Sequence, residues 1–254
     1  MENVGLQLYS FGIESGMTLF ERIKSASEMG FTHVELAGGY DGISANELKE
    51  FCTSCGINIF SAHVSVDRME KDIPYLSELG VKYAICPMSS FNSPDEAKEL
   101  AEDLNKYGQL GSSYGVKTGY HNHTDEFYKV DGKYLFDYLI ENCDPSLTMF
   151  ELDWGWCSAA GVNPVDYINS HAGRFSAIHI KENGGIIGAE KPPSRHGKHP
   201  FDDFEKDENG RIIFPEEFLN EMKERDKLNV AQGTGIVDWK AVKNAVEKLN
   251  KDVL

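Results

Sequence analysis

An alternation of two kinds of segment constrains this chain more than any other feature. Short runs rich in Val, Ile, Leu and aromatic residues recur at roughly 25 to 35 residues, each followed by a longer amphipathic run, which is the signature of parallel βα units. Strands are predicted at VGLQLY from Val4, HVELA from His33, NIFSAHV from Asn58, YAICPM from Tyr83, VKTGYHNH from Val116, LTMFELD from Leu147 and FSAIHIKE from Phe175. Helices are predicted in TLFERIKSASEMG from Thr18, SANELKEFCTSCG from Ser44 and SPDEAKELAEDLNKYGQLGSSYG from Ser93. Serine caps open the helices Ser44 to Cys55 and Ser93 to Tyr107, and Pro94 stands at a first helical position. A last helix is expected from Asp238 to Asn250.

Successive residues of a strand point to opposite faces. Phe150 and Leu152 therefore oppose Glu151 and Asp153, while Ile178 and Ile180 oppose His179 and Lys181. Val34 and Leu36 oppose Glu35; Leu6 and Leu8 oppose Gln7; Ser61 pairs with His63, and His121 with His123. An open doubly wound sheet wants both faces apolar, whereas a barrel turns one face to its helices and can carry polar residues inside near the strand ends. A (β/α)8 TIM barrel follows, with its site at the C-terminal strand ends. His63, His121, His123, Asp153, His179 and Lys181 all fall there.

The chain of 254 residues, 41% of them hydrophobic, supports one large core, so a single domain over residues 1–254 is expected. Residues 183–229 read as an insertion after the seventh strand, too polar and too long for an ordinary connection, and suited to a lid. A formal charge of -16 argues against nucleic acid and anionic membrane as partners. The sequence lacks both a run long enough to span a membrane and a basic, apolar leader, so a cytoplasmic location is expected. Five cysteines, an odd number, point to free thiols, the CxxC at Cys52 and Cys55 included.

Imidazole and carboxylate donors together suit Mn²⁺, Zn²⁺, Co²⁺ or Fe²⁺ and, with more oxygen ligands, Mg²⁺. Glu126, Asp153 and His179 come from three successive βα units and are the candidate metal ligands. Glu126 and Lys181 are the candidates for moving a proton; His63, His121, His123 and Trp156 are the candidates for holding substrate. A metal there polarises a carbonyl and stabilises an enediolate. That is the chemistry of a sugar, sugar phosphate or ketose isomerase or epimerase, and equally the first half of a keto-polyol dehydration. A barrel that only binds carbohydrate is the remaining alternative.

The stretches GLQLYSF, VELAGGY, AHVS, GYHNHTDEF, ELDWGW with AGVNPVDYI, GRFSAIHIKE and GTGIVDW resemble, in order and over nearly the whole chain, the sugar phosphate isomerase/epimerase family of xylose-isomerase-like TIM barrels. The resemblance implies one divalent metal held by two acidic residues, an Asp and a His, with Asp153 and His179 matching that Asp and His. It also implies a pair of Glu as acid and base, and Glu126 is the nearest match for the fifth-strand Glu, where many relatives carry it at the position of His121. The family's eighth strand bears a further Glu and precedes a last helix. This chain ends at NKDVL, so that strand and helix are expected to be incomplete or missing, with exposed strand edges that favour a homo-oligomer.

Two stretches of the insertion imitate other sites. EKDENGRIIFPE, from Glu205 to Glu216, has part of a calcium-loop pattern but reads better as a hairpin turn. Lys191, Arg195, His196, Lys198 and His199 form a basic cluster placed where barrels often bind phosphate.

Overall fold

The computed structural model describes residues 4–12, 15–197, 204–205 and 213–248. Among them, seven parallel strands form one sheet in the order β1 (Leu6–Gln7), β2 (His33–Leu36), β3 (Asn58–His63), β4 (Tyr83–Cys86), β5 (Lys117–His121), β8 (Thr148–Asp153) and β9 (Phe175–His179). A small antiparallel hairpin of β6 (Lys129–Val130) and β7 (Lys133–Tyr134) sits between β5 and β8. The result is a TIM-barrel-like half-barrel, open between β9 and β1 among the described residues, with one strand fewer than a closed barrel. All seven predicted strands are present, and no described helix is long and apolar enough to cross a membrane.

Local chemistry explains the helices. Thr18 and Glu21 form a reciprocal capping box on α1 (Leu19–Glu28), and Ser44 caps α2 (Ala45–Ser54). Ser93 caps α4 (Pro94–Ser112), with Pro94 in its first turn. α3 (Met69–Leu79) ends on the left-handed Gly80. The helix expected to stop at Tyr107 runs on to Ser112, because Gly108 and Gly111 are not stops. A Cβ on Gly111 would lie 2.3 Å from the Val116 carbonyl oxygen, so these glycines let α4 pack directly on β5. Asp238 accepts a hydrogen bond from the Ala241 amide, and α9 (Trp239–Lys248) follows.

The sheet separates two interiors. Outside it, Leu36, Ala62, Phe150 and Leu152 pack against the helices with Ile73, Leu76, Leu100, Leu104 and Phe136. Inside it, Ile85, Met149 and Ala177 make a small separate apolar plug. Gly119 completes that floor, since any side chain there would collide with Met149 and Ile85. The polar residues stand above this plug. Register shifts at Val34/Glu35 and at Phe150/Glu151 bring Glu35 level with Ser61, and Glu151 and Asp153 level with Ala177 and His179.

After β9 the chain folds back on the rim. Glu182 is buried and accepts hydrogen bonds from the amides of Gly233 and Val237 and from the Trp239 indole, which ties residues 228–239 to the end of β9. Residues 184–197 then pass the end of α6 (Trp154–Ala159), where Ile187 and Gly188 donate to the Ala159 carbonyl. They reach α4, where Glu96 accepts from Ser194 and the Arg195 amide. Arg195 and His196 pair with Asp103 and Glu99, so this part of the basic cluster is tied to acids; Lys198 and His199 lie outside the described residues. Most of the calcium-like stretch also lies outside them, at residues 206–212. The five cysteines are free thiols, as expected.

Candidate metal and active site

Six strands send a polar side chain into the space above the apolar plug: Gln7, Glu35, His63, His121, Glu151 with Asp153, and His179. Glu35, His63, Glu151 and His179 form the tighter group. Nε2 of His179 lies 2.9 Å from Oε1 of Glu35 and 3.1 Å from Oε2 of Glu151; Nε2 of His63 lies 3.2 Å and 3.0 Å from the same two oxygens. Both carboxylates are 1% exposed. Their partners behind the group are polar: Ser61 donates to Glu35, and the Gln7 amide stands 3.3 Å from Nδ1 of His63.

A second group shares His179. Its Nδ1 lies 3.9 Å from Oδ2 of Asp153, and Nε2 of His121 lies 3.6 Å from the same oxygen. Nδ1 of His121 is 3.2 Å from the Pro87 carbonyl oxygen, leaving Nε2 buried without a hydrogen-bond partner. The other Asp153 oxygen accepts from the Trp156 amide at 2.8 Å, so the residue also caps α6. A Cβ on Gly155 would meet the Lys181 carbonyl at 2.7 Å; glycine there lets α6 press on the end of β9, where the Trp154 indole donates to that carbonyl.

Protonation follows from this crowding. Burial raises Glu151, and the Glu35 charge raises it further, to about 8. Glu35 is held low despite its burial, by the imidazoles of His63 and His179 and the Ser61 hydroxyl. Burial pushes His63 down to about 4. Burial acts against charging His121 too, yet the charges of Asp153 and Glu151 prevail and raise it to about 9. One acid, one carboxylate and mixed imidazoles are what a cation must reorganise on entering.

The donors fit a divalent metal. With bonds of about 2.0 to 2.1 Å, tetrahedral ligands stand about 3.3 Å apart, and the first group's contacts of 2.9 to 3.2 Å are close to that edge. The His/Glu cluster is thus consistent with a divalent metal site, with no feature that fixes which metal.

Of the residues expected from sequence, Asp153, His179, His63 and His121 are brought together. His123 and Trp156 form the adjoining wall, with ring centroids 5.8 Å apart and His123 4.9 Å from His121. Lys181 extends its ammonium over the Trp156 ring at 4.5 Å and pairs with Asn229. Glu126 is placed apart from both groups. It lies on a single 3-10 turn after β5, where it accepts from the Tyr120 hydroxyl at 2.6 Å and from the His123 amide at 2.8 Å. Glu35 and Glu151 were not singled out from sequence. Their signal was the alternation itself, which already turned both to the polar face.

A family model described as xylose isomerase-like TIM barrel matches residues 23–254. The inosose dehydratase of Clostridium beijerinckii is 32% identical over 98 residues, 39% of this chain and 32% of that protein. The chain thus spans about a third of the length of this relative. A sugar phosphate isomerase/epimerase from Parabacteroides distasonis superposes with TM-score 0.65 at 21% identity, covering 99% of each chain. The IOLI protein, solved with a zinc atom, superposes with TM-score 0.67 at 12% identity, over 96% of this chain and 84% of that one. At such identities the structural likeness speaks for the fold. With a family model covering nearly the whole chain, the protein belongs to the xylose isomerase-like TIM barrel family.

Proposed function

We propose that the protein is a divalent-metal-dependent isomerase or epimerase of a ketose, sugar or sugar phosphate, acting through an enediolate at the barrel mouth. The observation that carries this reading is the three-donor group of His121, Asp153 and His179, which adjoins the wall of His123 and Trp156. Three protein donors leave a fourth position for water or substrate, which is the arrangement of a catalytic site. An ion held there would polarise the substrate carbonyl and offset the charge of the enediolate.

The chain's own residues do the rest. Trp156 offers a ring face against which the apolar side of a sugar packs, and His123 offers a hydrogen-bonding edge beside it. The Lys181 side chain, at the lip of the same wall, takes the proton from the carbon next to the carbonyl as the free amine and returns it as the ammonium. Glu126, through the His123 amide and Tyr120, acts as a positioning residue for this wall. His63 contributes beneath the substrate, between Glu35 and Glu151.

A second reading, dehydration of a keto-polyol, is favoured by the curated relatives, which are named inosose dehydratases. It shares the proton abstraction and differs in losing a β-hydroxyl afterwards. Incubation of the metal-loaded protein with a panel of ketoses and inososes in D₂O separates the two. Deuterium entering carbon without loss of water supports the first reading; an ultraviolet-absorbing enone supports the second. Binding with neither leaves a carbohydrate-binding barrel and overturns both.

A further inference from the structure

We propose that Arg195 is a positioning residue for the substrate wall: from the segment that crosses from β9 to α4, it braces the loop after β4 and, through that loop, the turn that holds His123. This role rests on the reading of His123 and Trp156 as the wall, and extends it to the insertion after β9.

The segment of residues 184–197 touches both sides of the wall. At its start the amides of Ile187 and Gly188 donate to the Ala159 carbonyl at 2.8 and 3.0 Å, on the last turn of the helix that bears Trp156. At its end Arg195 divides its guanidinium. Nη2 pairs with Asp103 of α4, and Nη1 donates to the Ser89 hydroxyl at 3.2 Å. Ser89 lies in the loop after β4, where its amide donates to the Tyr120 hydroxyl at 3.2 Å. Tyr120 donates in turn to one oxygen of Glu126 at 2.6 Å, and the other oxygen accepts from the His123 amide at 2.8 Å. Ser89, Tyr120 and Glu126 thus join Arg195 to the residue whose ring stands beside Trp156.

Two features set Arg195 apart from a surface anchor. Anchoring is already supplied without the guanidinium, since Glu96 accepts from the Ser194 hydroxyl and the Arg195 amide, and His196 pairs with Glu99. The contact with Ser89 ties the segment to a different element. The link beyond Ser89 is also interior: Tyr120 is 0% and Glu126 5% exposed, so water does not replace a member that moves away. A planar fork reaches two acceptors at once, which a lysine ammonium does not reproduce. Release of Ser89 is therefore transmitted, and the 3-10 turn Asp125–Phe127 that fixes His123 loosens. A wall that holds a sugar equally before and during proton transfer contributes uniform binding, so loosening it raises KM and leaves kcat nearly unchanged.

Hydrogen–deuterium exchange mass spectrometry on the full chain tests this without any substrate. Arg195→Lys and Ser89→Ala are each expected to speed amide exchange in residues 122–128 by about tenfold, and the double variant to do no more than either alone. His196→Ala loosens the same segment without touching Ser89 and is expected to leave residues 122–128 at the wild-type rate. Faster exchange confined to residues 184–197, additive effects in the double variant, or an equal effect of His196→Ala would overturn the proposal. For a ketose that the wild type turns over, Arg195→Lys is expected to raise KM several-fold with kcat within about twofold; an unchanged KM would overturn it too. The functional reading fails separately: if no ketose or inosose is turned over, that reading falls, while amide exchange still decides the role of Arg195.

Discussion

Asp153 serves two structures with its two oxygens. Oδ1 caps α6 through the Trp156 amide, and Oδ2 faces His121 and His179. Two substitutions therefore part company. Asp153→Asn keeps an acceptor for the cap and is expected to leave the melting temperature nearly unchanged, yet to weaken divalent metal binding by at least about tenfold. Asp153→Ala is expected to lose the metal and, in addition, about 1 kcal/mol of stability from the missing cap. Thermal melts alongside a metal titration decide it; equal metal affinity in the Asn variant and wild type would remove Asp153 from the site. At this scale the sequence was legible for residues on alternating strands. His63, His121, Asp153 and His179 converge because each occupies the inward parity near a strand end. Glu35 has the same parity, but its meeting with His179 spans 144 residues of sequence and depends on a register shift in β2. Glu126 stands apart from both groups because the 3-10 turn after β5 folds its carboxylate back onto Tyr120, and turn geometry leaves no periodic trace.

At the scale of elements, α4 and the segment after β9 make the clearest tests. Gly111 faces β5 so closely that a methyl group must displace the Val116 carbonyl. Gly111→Ala is expected to lower stability by about 1 to 3 kcal/mol through overpacking, despite the better helix propensity of alanine. Urea unfolding measures it, and a stabilised variant would show that α4 and β5 are not in that contact. These glycines also explain why the helix end was misjudged: in a sequence, a glycine for close approach looks like a glycine for a stop. Glu182 gathers four hydrogen bonds, one from the neighbouring Asn183 amide and three that hold residues 228–239. Burial alone would raise its carboxyl, but the Trp239 indole and the Val237 and Gly233 amides outweigh it and hold it below the usual range. A depressed folded value adds stability above the unfolded value of about 4.3, and that stability is lost as pH falls through the lower folded value. Glu182→Gln is thus expected to be less stable than wild type at neutral pH and to converge with it in acid, as read by urea midpoints across pH. A constant difference would contradict the ionised network.

Across the whole molecule, the half-barrel keeps its helices outside the sheet and its polar chemistry inside, above the plug of Ile85, Met149 and Ala177. The βα alternation made this architecture readable, since it needs only local period and spacing. The crossing of residues 184–197 from β9 to α4 was not readable in the same way. It rests on long-range pairs such as Ser194 with Glu96 and Arg195 with Asp103, which leave no pattern in a polar segment. Tight packing around the barrel has a consequence at high pH. Burial raises the phenols of Tyr120 and Tyr167 well above their usual value, with the Glu126 and Asp137 charges adding to it. The folded state therefore holds those protons where the unfolded chain releases them near pH 10, and stability falls as pH rises beyond that. Tyrosinate absorbance is expected to show these phenols ionising only as the fold is lost; their titration in a chain that keeps its native circular dichroism would contradict this packing. Metal content decides whether the mouth of the barrel is a metal site, measured by inductively coupled plasma mass spectrometry after chelator-free purification, in the wild type and in Asp153→Ala combined with His179→Ala. Bound divalent metal is expected in the wild type and is expected to disappear in the double variant. A wild type that takes up none even after soaking, or a double variant that retains it fully, would rule out a metal site at the barrel mouth.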